Sequence, residues 1–269
     1  MDEATARRLV ALNTEFYRQA AGSFSATRHG SWPGWETVAD CMENDLPGKC
    51  LGCPTLPTCD HAFDTARELS VLDVACGNMR FEAFLEQRMP AQRFAFHAAD
   101  NCLQFERMQT STPVAFHEID LVESFMAGTL ERDLQVSPCM IVACFAFLHH
   151  IPTAELRERF MRELVKLAMP GGLVVVSLWS FADEPEIAAK AVETTAQAVE
   201  ALALEGLEAG DYLLGWQNNP NVWRYCHSFD VEEADEVAEC VEPDARLIRR
   251  FQADGRNGKM NTYLVFQKA

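Results

Sequence analysis

The sequence predicts an α/β protein: a doubly wound, mostly parallel seven-stranded sheet closed by an antiparallel C-terminal hairpin. Three observations lead there. Five short, nearly continuous apolar runs recur between residues 70 and 180, stretches of helical periodicity separate them, and two strand-like runs follow near the end of the chain. Buried parallel strands read as unbroken apolar runs because helices cover both faces of the sheet. Right-handed crossovers then place the helices on alternate faces.

In chain order, "ATARRLVALNTEFYRQAA" (4–21) sets Leu9, Leu12, Phe16 and Ala20 on one helical face. Residues 22–64 are irregular and rich in Gly, Pro, Trp and Cys. Strands are expected at "SVLDVAC" (70–76), "RFAFHAA" (93–99), "VAFHEI" (114–119), "CMIVACFAF" (139–147) and "LVVVSLWS" (173–180). Helices are expected at 80–89, 101–110 and 153–168. A long helix over 186–207, a loop carrying Trp216, Trp223 and Tyr225, and a short acidic helix near 230–240 come next. "ARLIRRFQADG" (245–255) and "NTYLVFQK" (261–268) form the hairpin. The expected organisation is one domain over 1–269, with an N-terminal helix and cysteine-containing loop as decoration over 1–64 and an insertion or lid over 181–228.

Composition narrows the functional classes. Hydrophobic residues make up 48% of the chain, ample for a core, but no apolar stretch is long enough to span a bilayer. "MDEATARRLV" is amphipathic rather than signal-like, so a cytoplasmic protein without a membrane partner is expected. The ten cysteines then read as thiols or metal ligands rather than disulfides. Lys plus Arg number 23 against 40 Asp plus Glu, a net charge of −17. Such a surface repels a phosphate backbone at long range, and a nucleic acid would need a local basic patch.

The segment "LDVACGNMRFE" (72–82) ends the first strand in a turn with one glycine, where nucleotide-binding loops carry several. Asp73-x-x-x-Gly77, an acid ending the next strand (Asp100), a third acid after "FHEI" (Asp120) and "LAMPGGLVVVS" stand in order. Together they resemble the class I S-adenosylmethionine-dependent methyltransferases, a Rossmann-like family, over residues 65–180. The resemblance implies S-adenosylmethionine as cofactor. Asp73, Ala75, Cys76 and Gly77 would face its methionyl part, Asp100 with Asn101 its ribose hydroxyls, and Asp120 with Leu121 its adenine, with Cys144 also beside it. The chemistry agrees, since a carboxylate offers two acceptor oxygens to a vicinal diol, and Met79 would crowd a pyrophosphate at the helix start. Ala75 is compatible with the turn if its φ is negative. Met79 is expected to begin the helix with its side chain in the core.

The flanks carry a closer resemblance. "FYRQAAGSFSATRHGSWPGW" (16–35) is similar to the segment before the first strand in the tRNA wobble-uridine carboxymethyl methyltransferases. Their F-S-x-T-R-x-x-x-W-P pattern appears here as Phe24, Ser25, Thr27, Arg28, Trp32 and Pro33. "FLHHIPTAELRERFMREL" and "GDYLLGW…RYCHSF" are similar to that family too, whereas residues 36–64 depart from it. The resemblance implies esterification of the carboxylate of 5-carboxymethyluridine in tRNA, and a small activator subunit as partner. A carboxylate with a pKa near ~4 is already ionised at neutral pH, so no general base is required. In-line placement and exclusion of water would supply the catalysis.

Arg28 and Arg224 are candidates to orient that carboxylate, or to hold the cofactor's own, because a guanidinium fixes a carboxylate edge. His149 and His150 follow the fourth strand at the edge where ligands bind in such sheets. His149 is a catalytic candidate, and His150, Tyr17, Trp32 and His227 are candidates for contact with the substrate.

"CMENDLPGKCLGCPTLPTCDHAF" supplies Cys50, Cys53, Cys59 and His61, four soft ligands suited to zinc, with prolines to stiffen the loop. Reduced loop cysteines explain the same residues. The leading function is thus methyl transfer to a carboxylate, of tRNA or of a small molecule. The alternatives are a small-molecule methyltransferase of the same fold, which the acidic charge suits, and a non-catalytic S-adenosylmethionine-binding protein.

Overall fold

The computed structural model describes residues 1–46, 68–217, 219 and 221–269. The chain opens with α1 (Glu3–Ser25), whose first turn is capped by Asp2 accepting from the Thr5 amide, and continues with α2 (Gly34–Asp45). The central elements are β1 (Glu68–Val74), α3 (Arg80–Arg88), β2 (Arg93–Asp100), β3 (Val114–Glu118), α4 (Leu121–Met126), α5 (Leu130–Leu134) and β4 (Cys139–Cys144). A 3-10 turn (Leu148–His150), α6 (Ala154–Lys166) and β5 (Ala168–Trp179) follow. The last elements are a 3-10 turn (Phe181–Asp183), α7 (Pro185–Leu202), β6 (Asp211–Gly215), β7 (Trp223–His227), α8 (Val231–Glu239), β8 (Ala245–Ala253) and β9 (Asn261–Lys268).

The main sheet has seven strands in the order β3-β2-β1-β4-β5-β9-β8, parallel from β3 to β5, with β9 antiparallel between β5 and β8. Val71, Leu72, Ile141, Val142, Leu173 and Val174 at its centre are fully buried. One face packs on Phe160, Leu164 and Phe229, the other on Trp35, Met42 and Phe81. Helices therefore cover both faces, as the unbroken apolar strands require. The strand order reverses between β1 and β4, and the crevice outside the carboxyl ends of such strands is where α/β sheets bind ligands.

Three expectations need correction. Residues 101–110 form turns instead of a helix, because the Cys102 amide is drawn to the Asp100 carboxylate at 2.8 Å and the Met108 amide to the Asn78 carbonyl at 2.7 Å. The fourth strand stops at Cys144, since Ala146 turns with φ 51°. The expected loop around Trp216, Trp223 and Tyr225 contains a second sheet, β6 paired antiparallel with β7. Tyr225 and Leu213 from that sheet pack on Leu9 of α1. Residues 50, 53, 59 and 61, the proposed zinc ligands, lie outside the described residues.

Among the described residues, no helix is long and apolar enough to cross a membrane.

Candidate active site

A cavity of about 630 Å³ opens at the carboxyl ends of β1, β2 and β4, within the size range of small-molecule sites. Its floor is the turn after β1. Ala75, Gly77 and Met79 all take left-handed backbone, at φ 64°, 55° and 61°. Ala75 thus does not meet the condition of a negative φ. A left-handed conformation costs a non-glycine residue roughly 1–2 kcal/mol, and bonds to neighbouring strands offset it here. The Ala75 and Cys76 amides both donate to the Ala99 carbonyl, and the Gly77 amide donates to Asp100 Oδ2 at 2.9 Å. Met79 precedes the first turn of α3 and packs its side chain, 5% exposed, against Cys76, Ala98 and Phe116. It points away from the cavity into a small core, as expected.

Asp100 grips its surroundings with both oxygens, Oδ2 toward Gly77 and Oδ1 toward the Cys102 amide. Asn101 donates to Asp120 Oδ2 at 3.1 Å, and Asp120 Oδ1 caps α4 through the Glu123 amide at 3.0 Å. Asp73, Ala75, Cys76, Gly77, Asp100, Asn101, Asp120 and Leu121 all line the cavity. Cys144 does not: it is fully buried in the core between the sheet and α6, because its side chain leaves β4 on the helix-covered face.

Carboxyl groups crowd this end. Burial, with Glu82 and Asp100 nearby, holds Asp73 well above the usual carboxylate range. Glu82, in the first turn of α3, is fully buried with both carboxyl oxygens unpartnered, and burial pushes it up to about 7. An end this rich in acids suits a cationic ligand.

Cations gather elsewhere in the same cavity. Arg28 follows α1 on a strap running to α2, and its guanidinium lies 3.3 Å above the ring of Phe24. Arg224, on β7, is buried and lies 5.2 Å from the same ring. Neither forms an ion pair with any described carboxylate, and Arg224 Nε is buried without a partner. Burial and the neighbouring Arg224 bring Arg28 down to about 10, so both stay charged at neutral pH.

His149 lies against Trp179, and its buried Nδ1 has no partner. Burial, with Arg224 adding to it, drives His150 down to about 3, and His149 is also depressed well below the ordinary imidazole value. Both rings are therefore neutral and weak bases at pH 7.

Tyr17, Trp32, His149 and His150 also line the cavity; His227 does not. His227 instead bonds to Asp211 through Nδ1 at 2.8 Å and to Glu233 through Nε2 at 2.7 Å, which ties β6 and β7 to α8. Gly210 permits this: with φ 81°, it lets the backbone pass so close that a Cβ would sit 2.7 Å from the ring.

Sequence reading missed Asn78 and Glu82. Asn78 donates to the Arg28 carbonyl at 2.9 Å and accepts from Arg80 Nε, so it fastens the strap to the turn after β1. A polar residue in a turn gives no periodic signal. Glu82 reads as an ordinary acidic residue in a helix's first turn.

No protein-family model matches the chain. A comparison with curated proteins finds the tRNA (carboxymethyluridine(34)-5-O)-methyltransferase ALKBH8 of Macaca fascicularis, 23% identical over 171 residues. The match covers 63% of this chain and 20% of that protein. Its Mus musculus counterpart is 21% identical over 170 residues, with the same coverage. The chain thus spans about a fifth of the length of the curated relatives it matches. Among solved structures, the DhpI–SAM–HEP complex superposes with a TM-score of 0.54 at 14% identity, over 97% of this chain and 98% of that one. An S-adenosylmethionine-dependent methyltransferase from Methanosarcina mazei gives 0.51 at 14% identity, over 75% and 92%. One from Anabaena variabilis gives 0.51 at 14%, over 95% and 94%. The fold is that of the class I S-adenosylmethionine-dependent methyltransferases.

Proposed function

We propose that the protein is an S-adenosylmethionine-dependent methyltransferase that esterifies a carboxylate, with 5-carboxymethyluridine at a tRNA wobble position as the leading acceptor. The observation that carries this reading is the division of charge in one cavity. Asp73, Asp100 and Asp120 line the cavity around the carboxyl ends of the strands, while Arg28 and Arg224 have no carboxylate partner among the described residues. The acid end fits a cofactor bearing an ammonium and a sulfonium, and the Asp100 carboxylate fits its ribose diol. When bound, S-adenosylmethionine supplies a methyl group that passes to the acceptor oxygen as the carbon–sulfur bond breaks and its electron pair stays on sulfur.

The protein's own residues have three tasks. Arg28 and Arg224 hold the acceptor anion, with one of them free to take the cofactor carboxylate. Phe24, Tyr17 and Trp179 supply an aromatic wall that keeps water from the reacting oxygen. His149 lines the pocket without acting as a base. Imidazoles this hard to protonate suit an acceptor that arrives ionised, which favours a carboxylate over a hydroxyl. The segment 181–228, which supplies Arg224, serves as the cover on the acceptor side.

The likeness to ALKBH8 supports tRNA as the acceptor carrier, and a small activator subunit would then supply basic surface. The charge of −17 favours a second reading, a small carboxylate metabolite. Labelled cofactor incubated with tRNA lacking wobble methyl esters, and separately with a metabolite extract, tests both. Label in tRNA that mild alkali releases as methanol is the expected result. Label only in small molecules defeats the tRNA reading, and alkali-stable label defeats ester formation.

A further inference from the structure

Three hydrogen bonds near Arg224 close into a ring whose protons can be assigned one by one. Arg224 Nη1 donates to the Tyr17 hydroxyl oxygen at 3.1 Å. That hydroxyl lies 2.7 Å from His150 Nε2, the acceptor its own proton reaches. This pairing puts the His150 lone pair on Nε2 and the ring proton on Nδ1. Nδ1 sits 2.9 Å from the Tyr225 carbonyl, which accepts that proton; the Asn13 amide nitrogen, 3.2 Å from Nδ1, donates to the same carbonyl instead. Tyr225 follows Arg224 on β7, so the ring returns to its starting strand after passing through α1 and the 3-10 turn at Leu148–His150. Asn13 locks the return point, accepting from the Tyr225 amide at 2.7 Å and donating to its carbonyl at 3.1 Å.

We propose that Tyr17 and His150 are positioning residues that fix the Arg224 guanidinium, holding one edge so that its unpartnered Nε edge is presented to the acceptor anion. The role in acceptor binding rests on the carboxylate-methyltransferase reading above; the bonding ring does not. The ring also settles two rival uses of these side chains. His149, His150 and Cys226 offer ligand atoms within 4.8 Å of one another, a spacing that could hold a metal ion. The Tyr225 carbonyl requires a proton on His150 Nδ1, however, and Arg224 beside the group repels a cation. A proton relay from Tyr17 to His150 would create an imidazolium in a fully buried site next to Arg224, which the same charges oppose. What remains is alignment. A guanidinium ordered before the acceptor arrives avoids an ordering cost at binding.

Long-range ¹H–¹⁵N NMR of the full chain at pH 7 reads the ring directly. His150 is expected as the neutral Nδ1–H tautomer, and Tyr17→Phe is expected to shift its Nε2 resonance by removing the hydroxyl donor while the Nδ1–H bond to Tyr225 persists. An Nε2–H tautomer, an imidazolium, or zinc-dependent shifts of His150 would overturn the proposal. Kinetics with a 5-carboxymethyluridine anticodon stem-loop read the consequence. Tyr17→Phe should raise the acceptor KM by about five- to tenfold, the cost of ordering one long side chain, with a smaller fall in kcat and cofactor affinity within twofold of wild type. His150→Gln, which keeps an acceptor for Tyr17, should retain more of the wild-type KM than His150→Leu. An unchanged KM in Tyr17→Phe, or equal losses in the two His150 variants, would refute the positioning role. If the wild type methylates no carboxylate at all, the proposed function falls, while the tautomer still decides the ring.

Discussion

Glu82 has no hydrogen-bond partner among the described residues for either carboxyl oxygen, and it is fully buried. Its folded pKa of about 7 lies above the ordinary 4.5, so the folded state keeps a proton that the unfolded chain has lost. Stability must fall as pH rises from the unfolded value to the folded one, and stay level beyond it. The loss amounts to about 3 kcal/mol on that difference. Asp73 beside it is shifted in the same direction and adds to the fall. Glu82→Gln should flatten the decline in urea-unfolding free energy between pH 5 and pH 8, and a decline as steep as wild type would show that Glu82 ionises freely. Asp100 makes a different prediction. Its carboxylate both holds the Gly77 amide and faces the cavity. Asp100→Ala should weaken S-adenosylmethionine binding by about 1–3 kcal/mol, the cost of losing bonds to a charged acceptor. Calorimetric titration of the folded variant checks it.

The bridge from β6 and β7 to α8 depends on His227. Burial lowers its pKa, but the bonds to Asp211 and Glu233 outweigh burial and leave it raised. A raised histidine contributes stability that is fully present below its unfolded pKa and is lost as pH rises through the folded one. Amide exchange in β7, corrected for intrinsic rates, should therefore become faster between pH 6 and pH 9. His227→Gln should remove that pH dependence, and a dependence that survives would place the titrating group elsewhere. Elements of this kind differ in how far the sequence exposes them. The five parallel strands and the closing hairpin were legible because buried strands leave continuous apolar runs. The pair β6–β7 was not, since Tyr212, Trp223 and Tyr225 signal an aromatic loop as readily as a two-stranded ribbon. Similarly, Asp73, Asp100 and Asp120 were legible from their places at strand ends. Cys144 and His227 misled because spacing fixes a residue's position along the strand but not the face it takes or the carboxylates awaiting it.

At the scale of the molecule, the chain divides its charge: acidic overall, with the guanidiniums of Arg28, Arg80 and Arg224 lining one cavity. The strap between α1 and α2 links the two ends of that cavity. Arg28 belongs to it, and its carbonyl is bonded to Asn78 in the turn after β1, while the Gly30 carbonyl accepts from Arg80 at 2.9 Å and the Gly34 amide donates to Asp254 at 3.0 Å. On the proposed function, a shift of that turn when one cofactor molecule replaces another would be passed to Arg28. The expected result is compulsory-order turnover, with S-adenosylmethionine entering first and its demethylated product leaving last. Product inhibition distinguishes the schemes. S-adenosylhomocysteine should compete with S-adenosylmethionine but act noncompetitively toward the acceptor, and Asn78→Ala should drift toward random order. A strap only eight residues long between two helices would thus set the sequence of events in each catalytic cycle, as well as the shape of the pocket.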